Sequence, residues 1–399
     1  IPVKTGLIPD DEQAWLVSDG IPNMISLPQR LLPSLLTQLL PDDMVVRCSS
    51  GNVLQDSFST GQLKQRRAVS DRGLYATSVM AGNRSWLTKT VAQMKKHRLN
   101  TLVVNIKDIE GIVGTAFNDP VSLQIKGQRS YIPDFKKLVD ELHTNGISVC
   151  ARVTVFRDHQ LAQHKPEWAV AGPGGGFSGW INPANAEARA YMIRLAVAAA
   201  QAGADAVQFD YIRYPERGTV TWTAEPSMQQ KTQNIELFLR EAYQSLNPLG
   251  VSIEADVFGI MLWQTEADLA VTGQNLRHMA RYLHAISPMI YPSHFGNGFR
   301  GTPSPANEPY KMIAISNALM EEELGDLPLR YVPWLQGFGY KVSHYGPWYL
   351  QEQLRAMQAE KMPHFLVWNA SNVYETSYQA LALANAPRNS GAPEATNTD

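Results

Sequence analysis

Between Leu74 and Ser371 the sequence alternates eight short β-branched or aromatic runs with helical patterns, and this alternation constrains the fold more than any other feature. The runs are LYATSVM (74–80), TLVVNIK (101–107), ISVCARVTVF (147–156), DAVQFDYI (205–212), VSIEADVFG (251–259), AISPMIY (285–291), RYVPWLQGF (330–338) and HFLVWNAS (364–371). Between them lie helical stretches such as SWLTKTVAQMKKH, FKKLVDELHTNG, ARAYMIRLAVAAAQAG and NIELFLREAYQSL. Several of these end at Gly or Asn, as helix C-termini often do. Strand, loop, helix and short return is the repeating unit of a parallel sheet. Eight such units close naturally into a barrel, because closure removes the edges that an open sheet would leave exposed. The rival is an open, doubly wound sheet, which predicts a GxGxxG turn after the first strand; VMAGNRSWL carries none. The expected fold class is therefore α/β, a (β/α)8 TIM barrel.

Residues 1–70 read differently, with short alternating apolar stretches (QAWLVSD, DMVVRCS) and the polar segment STGQLKQRR, and are expected to form a small accessory segment and linker. The barrel is assigned to 71–385. Residues 386–399 are polar, Pro-rich and aperiodic, and are expected to be a disordered tail. A net charge of −2, from 35 basic and 37 acidic residues, offers no positive field for a polyphosphate backbone, so no nucleic-acid partner is expected. No apolar run approaches the roughly 20 residues of a membrane span. Cys150 sits in an apolar run and reads as a buried free thiol rather than as the disulfide partner of Cys48. The opening residues IPVKTGLIPDD have neither a basic nor an apolar leader region. The expected location is periplasmic or secreted, with a leader removed before the numbering begins; the cytoplasm stays open.

In barrel enzymes the site lies at the C-terminal ends of the strands, so the polar residues at the ends of the runs are the candidates. They are Lys107 and Asp108 after strand two, Arg152 and Arg157 at the end of strand three, Asp210 and Arg213 at strand four, and Glu254 and Asp256 in strand five. Strands six to eight contribute Tyr291 with His294, Trp334 with Gln336, and Trp368 with Asn369. In VQFDYIRYP, alternation puts Gln208, Asp210 and Ile212 on one face and Val207, Phe209 and Tyr211 on the other. A charge flanked by large apolar residues has to be paired or placed in a site. An ion pair of Asp210 with Arg213 or another arginine at the mouth is the structural alternative.

Glu254 and Asp256 share a face, and Asp256 lies nearer the mouth, so it is the favoured second carboxylate, with Glu254 as its competitor. Two carboxyls across a glycosidic bond, one protonated and one ionised, are what its hydrolysis requires. Adjacent strands, about 4.8 Å apart, can supply the roughly 5–5.5 Å spacing of a retaining site or the wider spacing of an inverting one. Mutual repulsion should raise one pKa and make that group the proton donor. Tyr211, Tyr214, Tyr291, Trp334, Trp368 and Trp180 fall at the same level, and flat rings of this kind stack on sugars or simply pack together. No HExxH or close histidine pair occurs; His159 and His164 read as surface-loop residues, and no metal or cofactor is expected. GPGGGF (172–177) follows no apparent strand and reads as a flexible loop over the mouth.

The strings VNIKD, YIPDFKKLVDELHTNGISVCARVTVFRD, WINPAN, VQFDYIRYP, EADVFG, ISPMIYPSHF, PWLQGF and VWNASNVY, in this order, resemble a glycoside hydrolase family of bacterial barrel proteins, remotely similar to α-amylase and galactosaminidase barrels. The resemblance spans roughly 72–385. It implies a barrel, a catalytic role for Asp210 in its FDYIR string, and Asp256 in its DVFG string as the more typical strand-five acid. Family members often carry an acid four residues before the strand-four Asp, where this chain has Ala206. The expected function is hydrolysis of a polysaccharide or oligosaccharide. A non-catalytic carbohydrate-binding or scaffolding barrel of the cell envelope, and a transglycosylase, are the alternatives.

Overall fold

The computed structural model describes residues 71–384, together with the backbone of three short strands closer to the N-terminus. The chain divides into two compact units, 1–66 and 67–399. In the first, Ala14–Ser18 pairs antiparallel with both Ile21–Asn23 and Val45–Cys48. The segment expected to be a disordered tail, and the side chain of Cys48, lie outside the described residues.

In the second unit each of the eight runs contributes to one barrel strand: β1 Arg72–Ala76, which begins two residues before its run, β2 Thr101–Lys107, β3 Ser148–Thr154, β4 Ala206–Asp210, β5 Ser252–Phe258, β6 Ala285–Met289, β7 Trp334–Gln336 and β8 Phe365–Trp368. All eight neighbouring pairs are parallel, and the β8–β1 and β1–β2 pairings close the ring. The run 330–338 is interrupted: Arg330–Tyr331 also pairs with β6, and Pro333, which has no N–H to give the ladder, separates it from β7. The first run is shorter than its pattern suggested. Thr77 accepts a hydrogen bond from the Met80 N–H and caps a short helix, Ser78–Gly82, so β1 ends at Ala76.

Helices return the chain on the outside. Among them are α1 Arg84–Lys96, between β1 and β2, and α2 Phe135–Thr144, between β2 and β3. In α2, Phe135, Leu138, Val139 and Leu142 fall on one face and are buried, each stabilising by about 1.5–3 kcal/mol relative to exposure. Next come α3 Ala186–Gln201 and α4 Met228–Leu246, the latter started by a reciprocal capping box between Ser227 and Gln230.

Alternation along the strands sorts the core into two layers. Leu74, Ala151, Val153, Val207, Phe209, Ala255 and Val257 face the helices. Tyr75, Val103, Cys150, Ala206, Ala285, Tyr291, Trp334 and Leu366 fill the interior. Cys150 is a buried free thiol.

Two local expectations are corrected. His159–His164 forms a short helix capped by Asp158 rather than a loop. The glycine-rich segment does follow a strand, since Ala169–Val170 pairs with Trp180–Ile181 and 172–179 is the tip of that small hairpin.

Candidate active site

Asp210 ends β4 and Asp256 lies in β5; both face the interior and converge on Arg152 of β3. The Arg152 guanidinium makes a buried ion pair with Asp210 through Nη2, and its Nε lies 3.6 Å from Asp256 Oδ2. Nη1 donates to Asn105 Oδ1 at 2.6 Å, and the guanidinium carbon lies 5.7 Å from the ring centre of Tyr75 and 5.3 Å from that of Trp368. Burial works against the Arg152 charge, but Asp210, Tyr75 and Asp256 outweigh it and hold the guanidinium protonated above its usual range.

Asp256 accepts a 2.7 Å hydrogen bond from Trp334 Nε1 on β7. Burial first, and the neighbouring Asp210 charge second, push its carboxyl well above the ordinary carboxylate range; Arg152 and Trp334 only partly offset this. Two carboxyls on neighbouring strands are thus held in unlike environments, which separates the roles open to them.

Tyr211, directly after Asp210, adopts a left-handed φ of 54°. Such a conformation costs a non-glycine residue about 1–3 kcal/mol and is a mark of functional sites. Here it directs the Tyr211 N–H onto Asp210 Oδ1 at 2.6 Å. It also ends the alternation of the strand, so Ile212, expected on the Asp210 face, packs in the outer layer instead. Burial, followed by the Asp210 charge, raises the Tyr211 phenol.

Glu254 is set apart from this pair. It accepts from Arg330 Nη2 at 2.9 Å and from Ser252 Oγ at 3.1 Å, and Cys150 Sγ lies 3.9 Å away. Arg330 also holds Asp71, which precedes β1, so Glu254 belongs to a network at the N-terminal end of the barrel. Lys107 is likewise no mouth residue. A β-bulge between Asn105 and Lys107 brings Lys107 into register with the outward-facing Val153. There it is fully buried, 2.8 Å from Asp158 and 2.8 Å from the Thr154 carbonyl.

The remaining candidates are distributed around the mouth. Asp108 is half-buried and accepts from the Ile112 N–H. Arg213 pairs with Glu216 at 2.7 Å and lies 4.7 Å from the Trp180 ring centre and 4.2 Å from that of Phe258. Tyr291 is buried, its hydroxyl finds no hydrogen-bond partner, and burial, then Asp256 and Asp210, raises it well above the usual phenol range. Gln336 spends its amide on the Ser293 N–H and the Phe338 carbonyl, and Asn369 spends its own on Gly337, Ser371 and Val373. Tyr214 is fully buried and accepts from Asn234, so it is core.

Two cavities open among the loops that follow β5 to β8. One of about 510 Å³ is lined by Trp368, Asn369, Phe338 and Tyr345, and one of about 550 Å³ by Phe258, Met289, Phe299 and Lys341. His294 borders both, and burial first and the Lys341 charge second lower its imidazole pKa. The two acids are in neither lining; they are buried against Arg152, which also lies against the stacked pair Tyr75–Trp368, whose centroids are 4.0 Å apart. Tyr75 and Asn105 escaped the sequence reading. Among the described residues no group of three or more His, Cys, Asp or Glu side chains is placed to hold a metal ion.

A family model described as a putative glycosyl hydrolase domain matches residues 73–374. The chain belongs to this family. Among solved structures, a hypothetical protein from Ruminiclostridium thermocellum ATCC 27405 is 33% identical over 46% of this chain and 97% of its own, with a TM-score of 0.41. The PgaB (BpsB) glycoside hydrolase domain from Bordetella bronchiseptica is 13% identical over 79% of this chain and 99% of its own, TM-score 0.59. Alpha-L-fucosidase isoenzyme 2 from Paenibacillus thiaminolyticus is 12% identical over 79% of this chain and 49% of its own, TM-score 0.53. At such identities these two likenesses speak for the barrel alone. No curated protein sequence matches. Membership in the glycosyl hydrolase family gives the chain a glycosidase-like role.

Proposed function

We propose that the chain hydrolyses a glycosidic bond in a polysaccharide or oligosaccharide, with Asp256 as proton donor and Asp210 as the ionised partner. The observation that carries this reading is the convergence of the two carboxyls on Arg152, one ion-paired and the other raised by burial and by its neighbour. In this scheme Asp256 gives its proton to the leaving oxygen as the bond from that oxygen to the anomeric carbon breaks. Asp210, aimed by Arg152 and the Tyr211 N–H, attacks that carbon or takes a proton from the water that does. Arg152 balances the negative charge of the pair, and Trp334 fixes the orientation of Asp256. Trp368, half-buried beside the first cavity, offers a ring face to a sugar.

A second reading, a glycan-binding barrel without turnover, draws support from burial: the side chains of Asp210 and Asp256 are only 5% and 1% exposed. Release of new reducing ends from a panel of polysaccharides separates the two. Asp210→Asn is expected to lower kcat by about 10²–10⁴-fold while glycan binding persists. Wild-type rates in that variant, or binding without product in the unmodified protein, would sink the hydrolytic assignment.

A further inference from the structure

Arg157 differs from Arg152 and Arg213. Arg152 and Arg213 each hold a carboxylate. Arg157 makes no ion pair among the described residues, and its Nε is buried without a hydrogen-bond partner. Its position is fixed by backbone. Beyond the end of β3 the Val155 N–H donates to the Asp210 carbonyl at 2.8 Å and the Phe156 N–H to that of Tyr211 at 3.2 Å, so the chain reaches Arg157 while still running beside the Asp210–Tyr211 pair. A bridge to Trp180 fixes it from the other side. The guanidinium is held against two rings, 5.4 Å from the centre of Trp180 and 6.0 Å from that of Tyr211. A half-buried guanidinium with no counter-ion leaves hydrogen-bonding capacity unused, which the oxygens of a carboxylate or sulfate would satisfy. Lys341, at the border of the second cavity, also has no acidic partner among the described residues.

We propose that the glycan taken up at this mouth is acidic, and that Arg157 binds an oxyanion carried on a sugar beside the one at Asp210. Arg157 is thereby a specificity-determining residue. The inference rests on the glycan-processing reading of the mouth but not on turnover. It is therefore tested by binding, in the Asp210→Asn background, where the loss of hydrolysis and the loss of charge preference are separate results.

Alginate and polygalacturonate oligosaccharides, each compared with its carboxyl-reduced counterpart, probe a carboxylate; a carrageenan oligosaccharide compared with its desulfated form probes a sulfate ester. Reduction or desulfation removes the charge and keeps the linkage. At least one charged form is expected to bind about tenfold or more tightly than its neutral counterpart, and which pair shows the preference identifies the oxyanion. Arg157→Gln should remove most of that preference while leaving binding of the neutral form in place, and Arg157→Lys should restore part of it. Rising salt should weaken only the charged form, a readout that needs no variant at Arg157. Equal binding of charged and neutral forms in every pair, binding of neither, or a preference unchanged in Arg157→Gln overturns the proposal.

Discussion

At the scale of single residues the decisive contact is the hydrogen bond from Trp334 Nε1 to Asp256, because it acts on the group assigned the proton. An N–H donated to a carboxylate stabilises the ionised form, so this bond keeps the Asp256 pKa lower than burial and Asp210 alone would set it. Trp334→Phe removes the donor and raises that pKa further. A general acid works while protonated, so the fall in kcat/KM at high pH follows its ionisation. The alkaline limb of the rate profile should therefore move to higher pH in the variant, and kcat should fall about tenfold as the carboxyl loses its orientation. Trp334 is buried, and the smaller ring also costs roughly 1–3 kcal/mol of stability, which a melting curve separates from the kinetic effect. An alkaline limb that stays in place, or moves to lower pH, would show that Asp256 is not the acid.

At the scale of elements the bulge in β2 decides what Lys107 does. With strict alternation Lys107 would share the inner face with Asn105; the extra residue turns it outward, onto Asp158 at the start of the next loop. Asp158 also caps the helix His159–His164 through the Leu161 N–H at 2.7 Å, so one buried carboxylate ties β2 to the segment after β3. Asp158→Ala leaves a fully buried ammonium without its counter-charge. The expected loss is about 3–5 kcal/mol in urea unfolding, and Lys107→Met added to it should recover a large part. A loss below about 1 kcal/mol would mean that the pair is not structural. The same element marks the limit of what the sequence reveals. Hydrophobic runs located all eight strands, because burial on both faces writes itself into composition. Period-two reasoning also put Asp210 and Asp256 on the inner face. It fails wherever the backbone departs from the repeat: at the bulge before Lys107, at the left-handed Tyr211, and at Thr77, whose cap ends β1 early. The polar candidates stand at the ends of the runs, whereas Tyr75 lies inside a strand that stops at Ala76.

For the whole molecule, the barrel carries buried charge at both ends. At the mouth, Arg152 gathers two acids, the proposed catalytic pair. At the opposite end Arg330 joins Asp71 and Glu254, and His364 closes the cluster by accepting the Asp71 N–H on Nδ1 at 2.9 Å. This bond requires a neutral imidazole on that nitrogen. Burial, aided by the Arg330 and Arg72 charges, accordingly pulls the His364 pKa down to about 4. In the unfolded chain the group titrates near 6.5, so between those values the unfolded state binds a proton that the folded state refuses. Stability from this group is thus fully present above about pH 6.5 and is lost as the pH falls toward 4, by at most roughly 3 kcal/mol. Asp71 and Glu254, raised chiefly by burial, act with the opposite sign, since the folded state protonates them first. The Glu254 contribution is common to any variant that leaves it in place and cancels in a difference, whereas the Asp71 carboxylate lies 3.8 Å from His364 Nδ1, so its titration is read together with that of the imidazole. His364→Asn keeps an acceptor for the Asp71 N–H but cannot titrate. The stability of the unmodified protein relative to this variant should therefore shrink steadily from pH 7 to pH 4, as read by denaturant unfolding at each pH. Parallel curves over that range would show that the lower end of the barrel admits a charged imidazole and that its cluster is not held together as described.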